Sequence, residues 1–134
     1  MTQKEFEQLS GLVESKISRL ESIVEREKKN MQDDYMRFFC FRADALYKVC
    51  LQLEEYRQLQ ELINSGRPAD VVEYLLTTTE CITDDLLNDP TLIYMTNELS
   101  NLAYLLRIDV KKDILREYRK LLAQGKDIHT NYKS

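Results

Sequence analysis

Glycine and proline together supply only five of the 134 residues, tryptophan is missing, and histidine occurs once. So few backbone breakers, beside 43% apolar residues, exclude a collagen-like repeat, a loop-rich secreted scaffold and a disordered acidic tail. With glycine confined to Gly11, Gly66 and Gly125, no glycine-rich phosphate cradle can form, and the Walker pattern is missing. His129 is the sole imidazole and lies near the chain end, which removes the Ser–His–Asp and Cys–His solutions to hydrolysis. Cys40, Cys50 and Cys81 have no C-x-x-C neighbour, so a cysteine-rich zinc site and a dithiol redox motif both lack their ligands. Their odd number and apolar surroundings predict reduced thiols in the core.

Long hydrophobic stretches are missing too. Runs such as Phe38–Phe41 fall far short of the roughly 20 residues that cross a bilayer, and the first ten residues, MTQKEFEQLS, contain no apolar leader. The expectation is a cytoplasmic protein without a membrane segment. Neither a cofactor nor a catalytic residue is expected. Glu80, Asp84, Asp85 and Asp89 are oxygen ligands of the kind a hard cation takes, but the stretch from Asp84 to Glu98 has no glycine for an EF-hand turn. Helix capping and solvation account for these carboxylates, so no metal is expected.

What the chain does have is helical periodicity. Thr2 and Glu5 form a capping-box signature, and Phe6, Leu9, Val13, Ile17, Leu20 and Val24 follow at three- and four-residue steps. The pattern predicts a first helix with one apolar stripe, ending in a turn near residues 29–33. A second helix follows from Tyr35 to about Ile63. Its first half is apolar around much of the circumference, through Phe38, Phe39, Cys40, Ala43, Leu46 and Tyr47, so Tyr35–Leu53 is the expected centre of the bundle. Gly66 is suited to a left-handed helix end and Pro68 to the first turn of the next helix.

The third helix is expected over Ala69–Leu87 with Val72, Leu75, Leu76, Ile82 and Leu86 inward. Thr77-Thr78-Thr79 and a second capping signature, Thr77 with Glu80, leave open a kink that would divide it in two. Asp89-Pro90 opens the last helix, which Gly125 is expected to close, leaving 126–134 as a flexible tail. The fold read from this pattern is all-α: one domain over 1–125, an antiparallel four-helix bundle with two long helices, or five helices if the third is kinked.

Charge is distributed unevenly. The net charge of −4 discourages self-association and is too small to name a partner. Residues 69–106 carry −7 with no Lys or Arg, residues 107–134 carry +4, and the first 68 residues carry −1. The acidic segment, with the mismatch between long and short helices, predicts a non-enzymatic protein-interaction module such as an adaptor, inhibitor, immunity-type protein or assembly subunit. Its expected docking residues are Glu80, Asp84, Asp85 and Asp89 on the acidic face, and Leu115, Tyr118 and Leu122 on a protruding helix end, where another protein or a second copy in a homodimer would cover them. Leu59, Leu62 and Ile63 are expected at the same protruding end. The alternative is a nucleic-acid-associated regulator using Lys112, Arg116, Arg119 and Lys120, which fall on one arc of the last helix. Interleaved Asp109, Asp113 and Glu117 dilute that arc, so nucleic acid is the less favoured partner. Arg37 and Arg42 interrupt the most apolar helix, and are expected to snorkel, to pair with Asp84 and Asp85, or to line a cleft.

Overall fold

The computed structural model describes residues 2–87 and 98–133, with side-chain surroundings for 2–87 and 102–123. Every regular element among the described residues is a helix: α1 (Gln3–Asp33), α2 (Tyr35–Phe41), α3 (Ala43–Asn64), α4 (Pro68–Leu87) and α5 (Glu98–Lys133).

The predicted capping box forms at the start of α1. Thr2 Oγ1 accepts from the Glu5 N–H and Glu5 Oε2 accepts from the Thr2 N–H, each at 3.2 Å. Phe6, Leu9, Val13, Ile17 and Leu20 are buried along one stripe. The break after α1 comes at Asp34, slightly beyond the expected 29–33. Asp34 adopts extended backbone angles and its carboxylate accepts the Arg37 N–H at 3.1 Å, capping α2. The expected long second helix is divided at Arg42, whose φ of −132° and ψ of −12° leave the helical region. The ladder survives the bend, because the Arg42 N–H still donates to Phe38 O and the Leu46 N–H to Arg42 O. At the bend the Arg42 guanidinium reaches Glu27 of α1, and Phe38, one turn before it, is buried.

Pairings along the helices give the topology. Lys16 lies over the Tyr56 ring, Glu21 pairs with Arg57, and Glu27 with Arg42, so α1 and α3 run antiparallel. Lys48 meets Asp109 and Gln52 meets Asp113, which makes α3 and α5 parallel. Tyr74 meets Glu55 on α3, and Asp85 pairs with Lys111 on α5, so α4 is antiparallel to both. The result is the expected antiparallel bundle, with α3 packed against every other helix.

The centre of that bundle is not where the sequence places it. Leu53, Tyr56, Leu59 and Ile63 of α3 enter the core, where they join Val71 and Leu75 of α4 and Val110, Ile114, Leu115 and Tyr118 of α5. In α2 only Phe38 is buried, at 3% exposure. Tyr35, Met36, Phe39 and Phe41 are 58%, 77%, 65% and 76% exposed. A helix two turns long that packs on one side cannot bury two faces, so its second apolar face stays outside. Cys40, Cys50 and Cys81 are likewise exposed rather than core thiols. Cys81, for example, is one residue from buried Ile82 and therefore about 100° around the helix from it.

At the turn between α3 and α4, Gly66 takes φ +82° and donates its N–H to Ile63 O, and Pro68 opens α4, both as expected. Helix α4 is continuous. Its threonines are accommodated because Thr79 Oγ1 donates to Leu76 O at 2.8 Å and Thr83 Oγ1 to Thr79 O at 2.7 Å, satisfying the hydroxyls on the helix's own carbonyls. The inward face is Val71, Leu75, Thr79 and Ile82, while Leu76, expected inside, is 41% exposed. Helix α5 continues through Gly125 to Lys133. A glycine within a helix is unfavourable by only about 1 kcal/mol, so it need not stop one. The expected opening at Asp89-Pro90 lies outside the described residues.

Candidate functional site

The acidic face resolves into separate fates. Glu80, Asp84 and Asp85 are exposed on α4. Asp85 accepts from Lys111 Nζ at 3.2 Å, whereas Glu80 and Asp84 border a groove of about 380 Å³ together with Thr79, Thr83 and Arg119. A residue expected to serve a basic face thus stands beside the acidic one. Asp89 lies outside the described residues. Among the described residues, no three or more His, Cys, Asp or Glu side chains converge as a metal site would require.

The rest of the basic arc is largely occupied by its own helix. Arg116 reaches Asp113 at 3.1 Å and Glu117 at 3.8 Å, and Lys120 reaches Glu117 at 3.6 Å. Lys112 is exposed. Such pairs within one helix are how a solvated face arranges its charges.

The protruding end expected at Leu115, Tyr118 and Leu122 is instead interior. Leu115 and Tyr118 are buried, and Leu122 packs against the core with Leu62. Leu59 and Ile63 are buried as well. The antiparallel arrangement explains this burial. Helix α1 is 31 residues long, and its N-terminal half lies beside the C-terminal half of α3, covering the apolar surface that the helix-length comparison leaves open.

Within that core, Glu55 Oε1 accepts hydrogen bonds from the Tyr74 hydroxyl at 2.7 Å and the Tyr118 hydroxyl at 2.8 Å. The Tyr56 and Tyr118 rings meet edge to face, with centroids 6.1 Å apart. Burial, then the Glu55 charge and hydrogen bond, push the Tyr118 hydroxyl far above the usual tyrosine range. Burial followed by the Glu55 hydrogen bond does the same to Tyr74, and burial followed by the Glu117 charge raises Tyr56. The Tyr74 and Tyr118 hydroxyls stay protonated and serve as donors, joining α3, α4 and α5 through one carboxylate.

At the opposite end, Arg37 and Arg42 line a cleft, one of the three alternatives read from the sequence. With Asn30, Asp33, Asp34 and Phe38 they enclose about 250 Å³, below the usual size of a small-molecule pocket. Arg42 pairs with Glu27, not with Asp84 or Asp85. Glu27 is almost completely buried and also approaches Arg26 at 3.5 Å and Asn30 at 3.5 Å. The signal for it was present, since Glu27 follows Leu20 and Val24 at the next step of the apolar stripe. A carboxylate in an apolar register needs a cation within reach.

Among the described residues, the densest group of exposed large apolar side chains is on α2, where Tyr35, Met36 and Phe39 share one side and Phe41 lies about 160° around the helix from Phe39. Tyr35, Met36, Phe39 and Phe41 stand on one short helix beside the Arg37 cleft. No helix among the described residues is long and apolar enough to cross a membrane. Comparison with known proteins found no matching family model, no similar curated protein and no similar solved structure, so these surfaces are interpreted from their own geometry.

Proposed function

We propose that this chain is a non-enzymatic protein-interaction module whose principal docking surface is the outward face of α2. The carrying observation is the exposure of four large apolar side chains on a helix only 7 residues long. Apolar surface concentrated in this way and rimmed by charge marks a contact site more often than a solvent face. Aromatic residues, methionine and arginine, all present here, are the types enriched at the cores of interfaces. The exposed Glu80 and Asp84 offer a second, polar contact on α4 that would influence encounter rate and register more than affinity. Three exposed free thiols fit the reducing environment of the cytoplasm. The nucleic-acid alternative is weakened by the carboxylates that already pair Arg116 and Lys120.

Site-directed photo-crosslinking in the native cell tests this reading. A photoreactive residue in place of Phe39 is expected to form protein adducts, while the same residue in place of exposed Arg19 on α1 gives none. Equal labelling from both positions, or none from Phe39, would remove α2 from consideration.

A further inference from the structure

The bend at Arg42 has no cause in its own sequence. Sharp helix bends normally follow proline, a Gly–Ser pair or a π-bulge, and Tyr35–Asn64 contains no Gly, Pro or Ser. Arg42 gives α3 no side-chain cap, in contrast to Thr2 on α1 and Asp34 on α2. The bend also interrupts the ladder. The Arg42 and Leu46 N–H groups still donate to Phe38 O and Arg42 O, whereas those of Ala43, Asp44 and Ala45 do not reach Phe39, Cys40 and Phe41 O. The local preference is one helix from Tyr35 to Asn64, and tertiary contacts override it. Those contacts are the Glu27 carboxylate on Arg42 and the burial of Phe38. Phe38 lies outside the main core cluster, so the one buried side chain of α2 is not shared with the rest of the core.

We infer that α2 is a hinged arm: it leaves α1 without unfolding the bundle and straightens onto α3 as one continuous helix, uncovering Phe38. That the motion regulates docking rests on the role proposed for α2; the motion itself does not. The connection to α1 is long enough. Glu27 is level with Arg42, so straightening lifts the start of α2 by about 10 Å, the rise of its 7 residues. Across the roughly 9 Å between packed helices the span becomes about 14 Å, and Asn30–Asp34, unwound, reach about 17 Å. Unwinding them is made easier by the exposure of Gln32, Asp33 and Asp34. No basic residue occupies the last turn of α1, and Asp33 and Asp34 set negative charge at the negative end of its dipole. The opened arm has the turn near 29–33 and the long second helix that periodicity predicts. At about 100° per residue, Phe38 lies about 60° from both Tyr35 and Phe41, so uncovering it joins the two separated apolar sides of α2. A partner that contacts Phe38 binds only the opened arm and shifts the population toward it.

NMR of the full chain tests the hinge. Phe38→Ser is expected to make the opened arm the major state. The Cα shifts of Arg42–Ala45 become helical, the Ala43, Asp44 and Ala45 amides gain protection from hydrogen exchange, Asn30–Asp33 lose it, and Leu59 and Tyr118 keep theirs. Phe38→Leu, which retains an apolar anchor, is expected to keep the bend. Saturation-transfer experiments on the wild type should find the same helical shifts at Arg42–Ala45 in a minor state, raised at least about tenfold by Phe38→Ser. A Phe38→Ser chain in which 35–41 becomes coil, or in which Arg42 stays non-helical, overturns the inference. So does one that loses protection at Leu59 and Tyr118 as well, because Phe38 then belongs to the same cooperative unit as the core. An arm that opens as expected, with no adduct from a photoreactive residue in place of Phe39, leaves the hinge standing and removes the docking role. An adduct from a chain whose arm never straightens overturns the hinge and leaves the docking role in place.

Discussion

Glu27 Oε1 lies 3.0 Å from Arg42 Nη1, linking a buried position of α1 to the residue at which α2 bends into α3. The carboxylate is 2% exposed and the guanidinium side chain 53% exposed, so the pair is half in water. Breaking a fully buried pair by removing one partner costs several kcal/mol, and solvent screening of Arg42 reduces that figure here. Arg42→Ala should therefore destabilise the fold by about 1–2 kcal/mol in urea denaturation. Restoring an apolar stripe with Glu27→Leu in the Arg42→Ala background should recover much of the loss. If the double variant is less stable than Arg42→Ala alone, the buried carboxylate is not the source of the penalty.

The two faces of α2 should respond oppositely to truncation. Phe38→Ala removes a buried ring and is expected to lower stability by about 3 kcal/mol. Phe39→Ser removes an exposed one, and thermal denaturation at low protein concentration should place it within about 0.5 kcal/mol of wild type. Equal losses at the two positions would mean that α2 is seated in a different rotation about its axis.

Glu55 joins α4 and α5 to α3 through two hydroxyl donors. Tyr118→Phe keeps the ring and removes one donor, so a loss of about 1 kcal/mol is expected. Tyr118→Ala empties a fully buried site and should cost about 3–5 kcal/mol. A double-mutant cycle between Tyr74→Phe and Tyr118→Phe should show coupling, since both hydroxyls share one carboxylate oxygen. Strict additivity would show that the two bonds act independently.

Alkaline pH should destabilise the protein. Burial leads the upward shift of Tyr56, Tyr74 and Tyr118, so the folded state retains protons that the unfolded chain releases near pH 10. Between the unfolded and folded values the native state binds more protons, and unfolding free energy falls as pH rises. The tyrosine contribution is fully present below about pH 10 and is lost progressively above it. Tyrosinate absorbance should show these three of the eight tyrosines ionising together with loss of helical circular dichroism. Their smooth ionisation in a chain that remains folded would contradict the burial.

Much of the fold follows from local sequence. The Thr2–Glu5 capping box, the stripe from Phe6 to Leu20, the positive φ of Gly66 and the start at Pro68 depend on side chains within a turn or two of each other, and each is legible without the rest of the chain. Helix existence is therefore a property of the sequence by itself. The continuity of α4 through Thr77–Thr79 and of α5 through Gly125 shows the limit of local reasoning, since weak helix formers are unfavourable but do not compel a break. The candidate surfaces needed the tertiary structure. Periodicity identifies two apolar faces around Phe38 and cannot say which one has a neighbour. The packing of α2 on α1 and α3 decided that Phe38 is inside and Phe39 outside, as the pairing of α1 with α3 decided that Leu59 and Ile63 are covered. Burial is a property of pairs of helices, so a single helical stripe fixes what wants to be covered, and only the arrangement of the other helices fixes what is.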